Sequence, residues 1–209
     1  MIRLDALAQA EVASEPFPYL LAAGVLDAAD LRAIAADFPR IDKPGLFPVE
    51  GLQYGPSFGR LIEAVKGPEL AGVLGEKFGL DLASLPMMVT VRGHCQRKDG
   101  RIHTDSLDKL VSCLLYLNDE SWSGQGGRLR FLRDGGDLES TIAEVPPVGG
   151  QFVAFRRTEC SWHGHHPFEG PRRYVMFNWL CSDLALAKNV GRHKLSSLLK
   201  RVGLIHGDY

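Results

Sequence analysis

The chain has 209 residues, 45% hydrophobic and 23% charged, with a formal net charge of −1. That is an ordinary globular composition with no polyelectrolyte signature, so no nucleic-acid partner is expected. The longest apolar run, "YLLAAGVL", stops at Asp27 and falls far short of the ~20 residues that cross a bilayer, so no membrane partner is expected either.

In chain order, the N-terminus "MIRLDALAQAEVASEPF" carries Asp5 and Glu11 where a signal peptide needs an unbroken apolar core, and a cytoplasmic location is expected. The stretch "LDAADLRAIAADF" places Leu26, Leu31, Ile34 and Phe38 near helical spacing, with Asp27 as N-cap. Residues 39–59, "PRIDKPGLFPVEGLQYGPSFG", are too rich in Gly and Pro for regular structure and read as a mobile flap. Helical pattern resumes in "RLIEAVKGPELAGVLGEKFG", broken into two pieces at Gly67-Pro68.

From Leu85 the character changes. "PMMVTV", "LVSCLLYLN", "GRLRFL", "GGQFVAF" and "RYVMFNWL" are short runs rich in β-branched and aromatic residues, separated by turn formers. They predict an antiparallel sandwich or small barrel. The tail "GRHKLSSLLKRVG" predicts a short helix. The expected organisation is one domain over 1–209: a helical layer over about 1–85, a β-core over about 86–182 and a C-terminal helix over about 192–203. Cys95, Cys113, Cys160 and Cys181 are far apart without C-x-x-C spacing, and no structural disulfide is expected.

The informative short stretch is "GRIHTDSLDKLVSCLLYLN", residues 100–118. His103 and Asp105 stand two apart at the mouth of an apolar strand. In extended backbone, residues i and i+2 share a face, so an imidazole and a carboxylate can meet at one point. The plainer reading is a turn, with Asp as its cap and His in solvent. Five of the seven histidines, however, fall in residues 94–103 or 163–166. A second histidine from another strand would complete two imidazoles and one carboxylate on one face of a metal, the arrangement suited to non-haem Fe(II) used with oxygen. His163, His165 and His166 compete for that place.

These features resemble the Fe(II)/2-oxoglutarate-dependent dioxygenases, in particular the prolyl-hydroxylase-like branch. Between Met87 and Leu180 they run in family order: the His103-x-Asp105 pair, "YLN" at 116–118, a "W…GGRLR" segment from Trp122 to Arg130, "GGQFVAF", and a His-to-Arg run in "WHGHHPFEGPRRY". The resemblance implies an α+β protein with a mainly β core, a double-stranded β-helix (jelly-roll) with an N-terminal helical layer and a short C-terminal helix. It implies Fe(II), 2-oxoglutarate as co-substrate and O2, with hydroxylation of a C–H bond and release of succinate and CO2. Family spacing from the distal histidine to the basic residue that binds 2-oxoglutarate is nine or ten, so His163 becomes the third ligand and Arg173 the co-substrate residue. Tyr116 is expected to donate its hydroxyl to the same 2-oxoglutarate carboxylate.

Strand parity puts Arg173, Val175, Phe177 and Trp179 on one face and Arg172, Tyr174, Met176 and Asn178 on the other. The Arg173/Trp179 face is taken as inward, which leaves Arg172 facing solvent or a neighbouring carboxylate and makes Trp179 a substrate candidate. Arg92 and Arg128 are the other substrate candidates; if they line the mouth, an anionic small molecule or amino-acid or peptide side chain is favoured. Where prolyl hydroxylases often carry a tyrosine before the H-x-D turn, this chain has "VTVRGHCQRKDG", with Arg92 and His94, which argues against prolyl specificity. Asp105, rather than Gly or Ala, favours hydroxylation over halogenation. Two other classes remain: a non-catalytic jelly-roll binding protein, and a cupin-like metal enzyme that does not use 2-oxoglutarate.

Overall fold

The structure, a computed structural model, describes residues 1–118, 122, 124 and 126–201, with the backbone alone for 193–201. Among these residues ten strands form two antiparallel sheets. The larger has the order β1 (Val12–Ala13), β2 (Tyr19–Ala22), β8 (Phe152–Arg156), β5 (Lys109–Tyr116), β10 (Gly170–Leu180), β4 (Met87–Cys95) and β3 (Phe47–Pro48). The smaller has the order β7 (Thr141–Val145), β6 (Leu129–Leu132) and β9 (His163–Gly164). Two facing sheets reached by long crossovers make the expected jelly-roll.

Strand β10 lies at the centre of the large sheet, and both of its faces are covered. Val175, Phe177 and Trp179 pack with Val89, Val91, Val111, Cys113 and Leu115 against the helices. Those helices are α1 (Leu4–Gln9), α2 (Ala28–Ala36), α3 (Pro56–Lys66) and α4 (Pro68–Phe78), which supply Leu7, Ile34, Phe58, Leu61 and Leu74. On the opposite face, Leu114, Tyr116 and Tyr174 meet Leu129, Phe131 and Val145 of the small sheet. Alternation along β5 and β10 therefore separates two apolar layers, with no solvent face to mark which side is inside.

Asp27 caps α2, its carboxylate accepting from the Asp30 amide at 2.7 Å. Gly67-Pro68 divides α3 from α4, with Pro68 opening the second helix, where its missing N–H costs nothing. Three departures from expectation stand out. The first 85 residues are not only helical, because β1, β2 and β3 come from them and β2 and β3 extend the large sheet on either side. The 39–59 segment is built into the fold: Phe47 and Pro48 pair with Val91 and Thr90, and Phe58 is fully buried. Its glycines and prolines flank the short edge strand β3. The last helix, α5 (Asp183–Arg201), begins nine residues earlier than expected, directly after β10, where the Ser182 hydroxyl accepts from the Ala185 amide at 3.2 Å. Gly191 reads as a boundary but sits inside that helix, and the expected end at 203 lies outside the described residues.

Candidate active site

His103 and Asp105 lie in the crossover from β4 to β5, and His163 opens β9. His103 and His163 exchange both backbone hydrogen bonds, each at 3.0 Å, in an isolated antiparallel bridge. This bridge ties the crossover to the small sheet and sets the two rings 4.4 Å apart. Each imidazole is oriented in the same way. His103 Nδ1 faces the Arg101 carbonyl at 2.8 Å, and His163 Nδ1 faces the Ser161 carbonyl at 2.9 Å. A carbonyl can only accept, so both Nδ1 atoms carry the proton and both Nε2 lone pairs are left for another partner.

One ligand atom from each of His103, Asp105 and His163 lies within 4.8 Å of the others, close enough to share a single ion. Burial would push the Asp105 carboxyl up, but the Lys109 ammonium, with hydrogen bonds from Lys109 and Ser112, holds it well below the usual carboxylate range. Burial, and then His103 beside it, pushes His163 down to about 4, so at neutral pH it is an uncharged imidazole. An imidazole from each histidine and one ionised carboxylate are the donor set a borderline divalent metal takes. The residues present fit the ion.

The loop that delivers the pair is clamped. The Asp99 carboxylate accepts from the Gln96 amide at 3.1 Å and pairs with Arg92 of β4 inside the protein. The Gly100 carbonyl accepts from the His165 amide at 2.9 Å. Gly100 has φ +86°, and a Cβ there would meet the His165 ring at 2.3 Å, so this approach requires glycine.

All three candidate ligands line one cavity of about 460 Å³ between the sheets, together with Arg92, Lys109, Arg172, Tyr174 and Met176. The parity of β10 holds, but its inward face is the opposite of the one expected. Arg172 is 2% exposed and lines the cavity, whereas Arg173 is exposed, with its guanidinium over the Phe38 ring at 5.2 Å. The apolar trio Val175, Phe177 and Trp179 belongs to the helical layer's core rather than the jelly-roll interior. Trp179 is 1% exposed and packed in that core, so it is withdrawn as a substrate residue. Arg128 is withdrawn as well: it pairs with Glu144 at 3.5 Å and does not line the cavity. Arg92 does line it.

Arg172 is held on several sides. Its Nε donates to the Gly127 carbonyl at 2.8 Å, its Nη2 donates to the Tyr116 hydroxyl at 3.0 Å, and it lies over the Tyr116 and Tyr174 rings. The glycine pair of the "W…GGRLR" segment makes this possible. A Cβ on Gly126 would strike the Pro167 carbonyl oxygen at 2.3 Å, and Trp122 packs on Phe168 to close the turn. Burial pushes Tyr116 up to about 12, so its hydroxyl keeps its proton. His165 also lines the cavity, pushed down to about 3 by burial and then by the Arg172 cation. His166 lies at the surface, between Arg130 at 2.9 Å and Glu139 at 2.7 Å.

Lys109, Ser112 and Asn178 escaped the reading of the sequence, although each is a polar residue set in an otherwise apolar run. Ser112 donates to Asp105 Oδ2 at 2.5 Å and accepts from Asn178 at 2.8 Å, and Lys109 donates to Asp105 Oδ1 at 2.7 Å.

The model of the 2OG-Fe(II) oxygenase superfamily matches residues 90–181, the segment that carries every cavity residue named above. Among solved structures, a Pseudomonas putida prolyl-4-hydroxylase is similar at 24% identity, covering 85% of this chain and 90% of its own, with a TM-score of 0.58. The viral collagen prolyl hydroxylase of Paramecium Bursaria Chlorella virus-1, in a 2-oxoglutarate complex, has 16% identity, coverage of 77% and 93%, and a TM-score of 0.52. HygX from Streptomyces hygroscopicus, with nickel and 2-oxoglutarate bound, has 15% identity, coverage of 78% and 81%, and a TM-score of 0.53. These likenesses establish the double-stranded β-helix. No curated protein matches the chain. Among the described residues no helix is long and apolar enough to cross a membrane. Residues 90–181, somewhat under half of the chain, thus match the 2OG-Fe(II) oxygenase superfamily, the family of iron- and 2-oxoglutarate-dependent dioxygenases.

Proposed function

We propose that this enzyme hydroxylates a C–H bond of an anionic small molecule or amino-acid or peptide side chain, with His103, Asp105 and His163 as iron ligands. The observation that carries this reading is the presence of that triad and Arg172 in one cavity. Bound iron with 2-oxoglutarate and O2 supplies the oxidising power, releasing succinate and CO2. The chain's own residues bind and orient. Arg172 presents a planar guanidinium, already fixed by Tyr116 and the Gly127 carbonyl, to the distal carboxylate of 2-oxoglutarate. The protonated Tyr116 hydroxyl supports that guanidinium, and Leu114, Leu129 and Phe155 give the cavity an apolar wall that excludes water.

Charge favours an anionic substrate. Arg92, Arg101, Lys109 and Arg172 line the cavity against the two carboxylates of Asp99 and Asp105. Dianionic 2-oxoglutarate offsets a divalent ion, so the cationic excess persists for a second anion. Arg92 in place of the tyrosine expected in prolyl hydroxylases speaks for a substrate other than peptidyl proline. Asp105 occupies the position that halogenases leave to halide, which favours hydroxylation. An intact triad with Arg172 beside it leaves no observation in favour of a non-catalytic jelly-roll or of a cupin-like enzyme without 2-oxoglutarate.

Succinate formation from 2-oxoglutarate with added Fe(II) tests the reaction, and a panel of carboxylate-bearing and neutral compounds tests the substrate class. Stimulation by the carboxylates is expected. Stimulation by neutral compounds alone would reject the anionic reading.

A further inference from the structure

Lys109 opens β5 four residues after Asp105, and its ammonium lies 2.7 Å from Oδ1, with the two side chains only 10% and 9% exposed. The other carboxylate oxygen accepts from the neutral Ser112 hydroxyl, which Asn178 in turn steadies. One oxygen of the candidate metal ligand therefore faces a full positive charge and the other a dipole. A dication gathered by His103, Asp105 and His163 must share this carboxylate with the ammonium, in a cavity where little water screens the repulsion.

We propose that Lys109 is a positioning residue that sets the charge of the metal centre, its ammonium offsetting the Asp105 carboxylate and so weakening the hold on the metal. This rests on the reading of His103, Asp105 and His163 as the ligands. It follows that the centre stays more positive than two imidazoles, a carboxylate and a dication alone would make it, which deepens the preference for anions in the cavity. A merely mechanical prop would act in the opposite sense, because losing it would free the carboxylate to turn away and loosen the metal. The two roles therefore differ in the sign of one measurable quantity.

Removing one partner of a buried ion pair leaves the other charge uncompensated. In Lys109→Met that charge is the Asp105 carboxylate, and a metal ion becomes its only strong counter-charge. The test titrates metal-stripped protein with Mn(II) alone, following free Mn(II) by electron paramagnetic resonance and the thermal midpoint with and without the ion. Lys109→Met is expected to bind Mn(II) at least about tenfold tighter than wild type, a difference well above error. Its metal-free midpoint should fall and largely recover with Mn(II). Lys109→Arg, which keeps the charge, should stay near wild type. Lys109→Gln keeps a hydrogen-bond donor without the charge and repeats the test should the Met variant fold poorly.

Equal or weaker Mn(II) binding by folded Lys109→Met or Lys109→Gln overturns the inference. His163→Ala separates it from the ligand reading. Should His163→Ala bind Mn(II) as wild type does, the ligand assignment falls and this inference with it. Should His163→Ala lose the ion while Lys109→Met gains nothing, this inference falls alone.

Discussion

The Arg172 guanidinium donates to the Tyr116 hydroxyl at 3.0 Å while the neighbouring Arg173 extends over Phe38 on the other side of the sheet. Two adjacent arginines thus have opposite surroundings, and mutation should separate them. Arg172→Ala is expected to raise the KM for 2-oxoglutarate by an amount worth on the order of 2–5 kcal/mol, the range for truncating a buried charge-assisted contact. Arg173→Ala should change it little, since an exposed arginine contributes within about 1 kcal/mol. Tyr116→Phe removes one hydroxyl contact and should cost roughly 1.5–3 kcal/mol, as expected for a hydrogen bond to a charged group. Steady-state kinetics with 2-oxoglutarate as the varied substrate decides. Equal effects at Arg172 and Arg173 would remove the co-substrate assignment.

Iron-dependent turnover should vanish in His103→Ala, Asp105→Ala and His163→Ala, with folding confirmed by circular dichroism. His166→Ala should keep most activity, because that ring sits at the surface with Arg130 and Glu139. His165→Ala should keep part of it, since the ring packs beside Gly100 and helps hold the loop rather than pointing with the triad. An inactive His166→Ala with intact metal binding would show that the rim of the cavity takes part in the chemistry.

Asp99 connects β4 to the loop that presents the triad's first two members, through Arg92 and the Gln96 amide. Asp99→Asn leaves the Arg92 cation buried beside a neutral group, and a loss of about 3–5 kcal/mol in stability is expected. Gly100→Ala should disturb the site more locally, since the new methyl would strike His165. Its signature is metal affinity reduced beyond any fall in the thermal midpoint. A normal metal affinity in Gly100→Ala would mean that the loop's path tolerates a shift at this point.

The candidate metal set was legible in part from local facts, two residues apart in extended backbone and a histidine cluster far along the chain, while the choice of His163 within that cluster came from the family spacing to the arginine pair. The five core strands were legible for a similar reason, each being a β-branched and aromatic run between turn formers. The choice between Arg172 and Arg173 was not. Parity grouped β10 correctly into two faces, but helices cover one and the small sheet covers the other, so Val175, Phe177 and Trp179 mimic an interior wall. The edge strands β1, β3, β7 and β9, and the short β2 beside β1, escaped because their pairing is decided by the neighbour rather than by the short segment itself. Lys109, Ser112 and Asn178 also escaped, because only the fold brings all three together around Asp105.

Residues 39–59 carry the last test. Phe47 hydrogen-bonds into the large sheet opposite Val91, Val49 is 1% exposed, and Phe58 packs edge-on against Phe38 at 5.4 Å with no exposure. A segment anchored at three such points behaves as part of the scaffold. Phe58→Ala is therefore expected to destabilise the protein by about 3–5 kcal/mol, as for a large aromatic removed from a core. Hydrogen exchange at the Phe47 and Val49 amides should be slow in the enzyme alone and unchanged when 2-oxoglutarate and an accepted substrate bind. Tyr54, 39% exposed, is the member free to respond, and Tyr54→Ala should cost little stability. Marked protection of the whole segment on substrate binding would instead restore it as a moving cover, and Leu46, which lines the cavity, would be the contact to examine.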